Sequence, residues 1–322
     1  FVCLPVKQKK MLRSLLQRGA VTTNHVILRS ICSTSMANSR FEYVKSYEHA
    51  DILQKNCWIV IRIDGKGFHK FCDVHNFLKP NDERGLNLMN LAAVHVLQEF
   101  NEIVLAYGQS DEYSFIFRRD TSVYNRRRDK LISYVGSLFT SAYIFNWRTI
   151  FQDTLELKYP PVFDSRAVLY PTDQNLRDYM SWRQADVHIN NLYNTSFWNL
   201  VASGLTNAEA EERLRGTLSS DKNEILFKEF NINYNNVPVM FRKGTTLMRK
   251  KIKLTNDKKL SLIVPIFEDM IDDAFWTRHP EILSGKSDST DCYELGDNKE
   301  HVLIRYQIEK HNKRRPGAEV SL

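Results

Sequence analysis

Residues 57–63 (CWIVIRI) form a short, almost wholly apolar and β-branched run that halts at Asp64-Gly65-Lys66-Gly67. So short a run, closed by two glycines, reads as a buried strand ending in a tight turn. Further on, 103–107 (IVLAY) and 113–117 (YSFIF) flank Gly108-Gln109-Ser110-Asp111-Glu112. That spacing predicts a β-hairpin with acids at its tip. Between these strands, 82–100 repeats Leu86, Met89, Ala93, Val94, Leu97 and Phe100 near a helical period. It should lay one face on a sheet, with Asn87, Asn90 and Gln98 off that stripe. A basic loop then leads to an aromatic-rich helix over 129–151 and a strand over 162–169. Strand, helix, hairpin, helix, strand is the order of an α+β fold, a mainly antiparallel sheet covered on one face by helices.

Beyond Pro171 the chain turns to amides and helix formers. Helices are predicted over 173–201 and 207–214, a hairpin around 241–253 and a polar tail from Lys286. A short helical start is expected at 41–53. The resulting division is a basic N-terminal segment (1–35), a catalytic domain (36–170), a helical and hairpin region placed on it (171–285) and the polar tail (286–322).

A chain of 322 residues with 43% hydrophobic content can bury one large core or two closely joined ones. No apolar run approaches the roughly 20 residues that span a bilayer, so no transmembrane segment is expected. The formal charge of +7 is concentrated at one end: residues 1–35 hold six Lys or Arg and no acid. That composition, rich in Ser, Thr and Leu, reads as a mitochondrial transit peptide starting at Met11, or else as a disordered basic arm. Met36 offers a second start without the presequence. Five scattered cysteines make no CxxC pair, which points to reduced thiols rather than disulfides or zinc.

The candidate chemistry lies where strands end. Asp64 and the Asp111-Glu112 pair can meet if their strands are adjacent, and carboxylates so crowded repel one another without a cation. Hard oxygen ligands suit Mg²⁺ with nucleotide phosphates completing its shell. Gly65 and Gly67 let backbone approach a triphosphate, and Gly65 can offer its carbonyl. The plainer reading of both segments is a pair of polar turns. No P-loop, no strand-borne GxGxxG, no clustered zinc ligands and no GxSxG are present. Basic clusters at Arg126, Arg127, Arg128 and Lys130, and at Arg242, Lys243, Arg249, Lys250, Lys251 and Lys253, either neutralise phosphates or form solvated faces. His188 to Asn194 places an imidazole, amides and Tyr193 within two helical turns. Such groups read and stack bases, or simply decorate a helix surface around a core Tyr193.

Five ordered motifs carry a resemblance: RIDGKGFHKF at 62–71, GQSDEYSF at 108–115, RQADVHINNLYNT at 183–195, DKNEILF at 221–227, and FNINYNN with FRKGT ending at Thr245. From about Met36 to Trp276 the chain resembles the tRNA(His) guanylyltransferase family, in an animal mitochondrial or cytoplasmic form. The resemblance implies a polymerase-palm-like catalytic domain working in the 3′-to-5′ direction, which adds a guanosine to the 5′ end of histidine transfer RNA. ATP activates the RNA 5′-phosphate and the 3′-hydroxyl of GTP attacks it. It implies two Mg²⁺ ions held by Asp64, the Gly65 carbonyl and Asp111, with Glu112 in support. It places Asp64, Gly65, Lys66, Gly67, Phe68, His69 and Ser110 around the nucleotide, and Lys79, Arg127 and Lys130 at the triphosphate. His188, Asn191, Asn194, Lys222 and Asn233 are expected at the RNA or its activated end, and the assembly is expected to be a homotetramer. A non-catalytic palm-fold protein that binds RNA or a partner in mitochondria is the alternative, and a cyclase resembling diguanylate cyclases a third reading. Retention of three crowded acids favours the transferase.

Overall fold

The computed structural model describes residues 39–254, 258–285 and 292–314. The expected transit segment, Met11 and Met36 lie outside the described residues. The chain divides into two compact units, Phe1–Ala50 and Asp51–Leu322. In the first, Glu42–Tyr47 forms a 3₁₀ turn with no buried residue, where a longer helical start was expected.

The second unit is built on six strands in the order β4-β1-β3-β2-β5-β6, every neighbouring pair antiparallel. They are β1 (Trp58–Gly65), β2 (Ile103–Gln109), β3 (Glu112–Phe117), β4 (Phe163–Tyr170), β5 (Thr245–Lys253) and β6 (Lys259–Ile266). Central β1 is apolar on both faces because both are covered. Ile59, Ile61 and Ile63 join Phe115 and Phe117 under α2 (Glu83–Glu99) and α3 (Arg128–Phe145). Trp58 and Val60 join Ile116 and Leu105 on the other face, under Leu176, Tyr179 and Met180 of α5 (Asp173–Ala202). These β1 side chains are wholly buried, each contributing about 1.5–3 kcal/mol of transfer free energy. The α+β palm-like reading holds, with helical cover on the second face as well.

Local chemistry sets the boundaries. Asp82 caps α2 by accepting the Arg84 N–H at 3.0 Å. The long helix expected over 129–151 breaks at Asn146, whose Nδ2 donates to the Ala142 carbonyl at 2.7 Å, and resumes as α4 (Trp147–Phe151). The short α1 (Phe68–Val74) starts from Gly67, held at φ 66°.

Three expectations are corrected. The hairpin around 241–253 is instead a short helix, α8 (Val239–Lys243), stopped by Gly244 at φ 72°; β5 then turns back into β6. Asn87 and Asn90 are buried rather than turned from the core. Within the expected polar tail, α11 (Val302–Arg314) buries Leu303 and Ile304. Its Gln307 accepts the Ile263 N–H at 2.9 Å and donates to the Ile263 carbonyl at 2.8 Å, which closes off part of the β6 edge. The remaining helices are α6 (Asn207–Leu214), α7 (Ser219–Phe230), α9 (Asp273–Arg278) and α10 (Pro280–Leu283).

Candidate active site

β1 and the β2–β3 hairpin run in register, with Ile63 opposite Tyr113 and Asp64 opposite Glu112. The Gly65 N–H donates to the Asp111 carbonyl at 3.1 Å, which joins the end of β1 to the hairpin tip. Two glycines make this closeness feasible. A Cβ at Gly65 would lie 2.3 Å from the Phe68 ring, and one at Gly108 would lie 2.1 Å from the Tyr113 ring. Behind the tip, buried Asn90 accepts from the Tyr113 hydroxyl at 3.0 Å and donates to Thr245 Oγ1 at 3.2 Å.

The three acids gathered here differ in surroundings. Burial, and then the charge of Asp64, holds the Asp111 carboxyl above its ordinary range. Burial also raises Glu112, but Glu112 has cations: Arg183 Nε of α5 at 2.9 Å and Arg62 Nε at 3.8 Å. Arg183 in turn bonds Asp186 at 2.8 Å. Glu112 is therefore paired internally, while Asp64 and Asp111 are a pair whose repulsion a cation would relieve.

Above them lies a cavity of about 490 Å³, with Asp64, Ser110 and Asp111 at its floor. The loop between α1 and α2, including Lys79 and Asn81, forms one wall; Asn190, Asn191, Asn194 and Trp198 of α5 form another. Among the described residues no three His, Cys, Asp or Glu side chains converge as a metal cage. Two carboxylates beside a strand-end carbonyl still suit a hard cation that keeps waters and takes phosphate oxygens. Cys72 also lines the cavity, but burial first of all pushes its thiol up to about 11, so it is no nucleophile at neutral pH.

The other expected residues separate into two groups. Phe68 is buried against Phe71 and Phe163, with Lys66 and His69 exposed near it. Lys79 Nζ is 2.8 Å from Asp73 and 5.1 Å from the Trp198 ring centre. Asn191 and Asn194 face the cavity, and exposed His188 lies edge-on to Tyr234. Gly65, Lys66, Gly67 and His188 do not line the cavity, and four further residues are engaged elsewhere. Arg127 pairs with Asp51 at 3.1 Å, and exposed Lys130 follows at the start of α3. Lys222 donates to the Thr217 carbonyl, and Asn233 accepts the Asn235 N–H to cap a turn. One member of each basic cluster is internal: Arg126 donates to the Leu53, Thr121 and Cys57 carbonyls, and Lys250 is buried against Glu281 and His279.

Arg183, Asn90 and Trp198 escaped the sequence reading. Arg183 lay within a quoted motif, and a lone arginine among helix positions that pack inward was its only signal.

An antiparallel sheet that brings one strand-end acid and one hairpin-tip acid under a cavity large enough for a nucleotide has the arrangement of the palm of a nucleotidyl-transferring enzyme. Residues 41–171 match the family model described as tRNAHis guanylyltransferase, and 174–316 match the Thg1 C terminal domain. The chain belongs to the tRNA(His) guanylyltransferase family and is a nucleotidyltransferase. It is 61% identical over 249 residues to a probable tRNA(His) guanylyltransferase of Drosophila melanogaster, covering 77% of this chain and 86% of that protein. Identity to the human protein so described is 53% over 271 residues, covering 79% and 91%. The crystal structure of the tRNA(His) guanylyltransferase from Saccharomyces cerevisiae superposes at TM-score 0.62 with 48% identity, covering 69% of this chain and 95% of that one. A bacterial Thg1-like protein in complex with ATP, 23% identical, shares the fold at TM-score 0.58, covering 74% and 95%.

Proposed function

We propose that this protein adds a guanosine to the 5′ end of histidine transfer RNA. The RNA 5′-phosphate first attacks ATP, releasing pyrophosphate and leaving an adenylylated end. The 3′-hydroxyl of GTP then attacks that phosphate, AMP leaves, and the new 5′-triphosphate is trimmed of pyrophosphate. The observation that carries this reading is the bond from Gly65 N–H to the Asp111 carbonyl, which sets Asp64 and Asp111 side by side under the cavity.

Asp64, Asp111 and the Gly65 carbonyl are the groups that would hold the two Mg²⁺ ions. Once bound, such ions supply charge neutralisation at phosphorus and acidify the attacking hydroxyl. The chain's own residues do the positioning. Arg183 and Arg62 hold Glu112 off the pair. Lys79 offers a cation at the cavity wall to a triphosphate. The start of α1 at Gly67 adds backbone N–H groups beside it. A nucleotide ligand is also consistent with the bacterial protein of the same fold, whose structure is of its complex with ATP.

The test is incubation of the purified protein with 5′-monophosphorylated histidine transfer RNA, ATP, Mg²⁺ and labelled GTP, beside Asp64→Ala. Labelled RNA that disappears in the variant supports the reading. A folded wild type that labels nothing defeats it in favour of a binding role. We place the enzyme in mitochondria and in the cytoplasm as a homotetramer, checked by fusing residues 1–35 to a reporter and by sedimentation.

A further inference from the structure

Asn191, on α5, has its side-chain amide engaged at both ends. Its Nδ2 donates to Asn81 Oδ1 at 3.1 Å, and its Oδ1 accepts from the Tyr234 hydroxyl at 3.0 Å. Asn191 and Tyr234 are both buried, and Tyr234 is anchored with Leu192 and Leu226 between α5 and α7. Asn81 belongs to the loop between α1 and α2, two residues after Lys79. That loop and α5 both line the cavity and touch each other there. Lys79, which lines the cavity, is held by Asp73 at 2.8 Å and lies over the Trp198 ring.

We infer that Asn191 is a positioning residue: through Asn81 it fixes the loop that presents Lys79, and so sets the affinity for nucleoside triphosphate rather than for RNA. The sequence alone had placed Asn191 at the RNA. Its burial and two satisfied bonds leave it little reach toward a polynucleotide, whereas Asn194, one turn on, is exposed. A long lysine loses its value to a phosphate if its stem can wander, because the entropy of holding it must then come from binding. The clamp ties that loop to α5, the longest helix among the described residues.

This inference rests on the nucleotide reading of the cavity, so its test reads nucleotide binding directly. A fluorescent GTP analogue with Mg²⁺ is titrated into the full chain without RNA, and histidine transfer RNA is titrated separately. Asn191→Ala and Asn81→Ala should each weaken the analogue about tenfold and leave RNA affinity within about twofold. Asn191→Asp should recover most of the loss, because Asp still accepts from Tyr234 and Asn81 can turn its amide to donate. In a Lys79→Ala background, Asn81→Ala should cost nothing further, which a merely structural role would not produce. Asn81→Ala leaves the bond between Tyr234 and Asn191 in place, so it remains informative if Asn191→Ala fails to fold. Loss of RNA affinity with unchanged analogue binding, or full additivity with Lys79→Ala, overturns the inference. If the clamp variants behave as stated but wild type labels no RNA, the transfer reaction fails and the clamp stands.

Discussion

Asp64 on β1 is the direct ladder partner of Glu112 on β3, yet the two carboxylates have opposite electrostatic company. Glu112 receives Arg183 at 2.9 Å and Arg62 at 3.8 Å. Asp64 shares its strand end with Asp111 and helps that neighbour keep its proton. The fold thus neutralises one acid internally and leaves a pair in tension, and the tension has measurable consequences.

Asp64→Asn should lower guanosine transfer by about 10²–10³-fold while raising stability. Removing a like charge beside Asp111 and opposite Glu112 relieves about 0.2–1 kcal/mol. Transfer assays read the first effect and thermal unfolding without divalent cation the second. An Asn variant that is less stable than wild type contradicts the repulsion.

Asp111 carries a pH signature. Its native carboxyl titrates above the ordinary range, so ionising it costs native stability. The cost is absent below the unfolded value, about pH 4, and grows as pH rises through the native one. Asp111→Asn should therefore stabilise the protein at pH 7, with the gain fading toward pH 4. In wild type, the acid limb of the transfer rate should move to lower pH as Mg²⁺ is raised, because cation and proton compete for the same oxygens. A limb that ignores Mg²⁺ would place the essential ionisation elsewhere.

Arg183→Leu should cost about 3 kcal/mol in chemical denaturation, because it leaves mostly buried Glu112 with the more distant Arg62, at 3.8 Å, in place of its close partner. The double variant Arg183→Leu with Glu112→Leu should be more stable than the single one. Arg183→Lys should rescue only in part, since a point charge cannot serve Glu112 and Asp186 as the guanidinium does.

Gly65→Ala and Gly108→Ala should each destabilise by about 1–3 kcal/mol, since a methyl there overlaps the buried Phe68 or Tyr113 ring. Both should also cut transfer strongly, because the displaced rings lie under the loops that carry the acids. Denaturation curves and labelled GTP incorporation check the two effects together.

Much of this site was legible because its acids stand at breaks in short apolar runs, and such breaks are visible in one dimension. β1, the hairpin and its acidic tip needed only local periodicity and glycine. Asn90 was missed because the groups that satisfy its amide come from Tyr113 and Thr245, 23 and 155 residues away. Arg183 was missed for the same reason, its partner Glu112 lying on another element. The helix within the expected tail escaped because its buried residues, Leu303, Ile304 and Gln307, are set among Arg, Lys and Glu. The hairpin at 241–253 was misread because its first residues close a helical turn at Gly244, and only the stretch from Thr245 is a strand, paired with β6 further on. The basic clusters misled because charge in a sequence does not say which guanidiniums are spent on backbone carbonyls, as Arg126 is.

The 30 residues of α5 contain neither glycine nor proline, so the helix is one uninterrupted rod of about 45 Å. Its first half is bolted to the sheet through Leu176, Tyr179 and Met180, and its second half carries α6 and α7 through Leu192 and Leu200. A rod without a hinge makes the outer helices and the cavity floor a single mechanical body. A push on α6 or α7 reaches Asp64 and Asp111 as a tilt of the whole cavity wall rather than as the closing of a jaw.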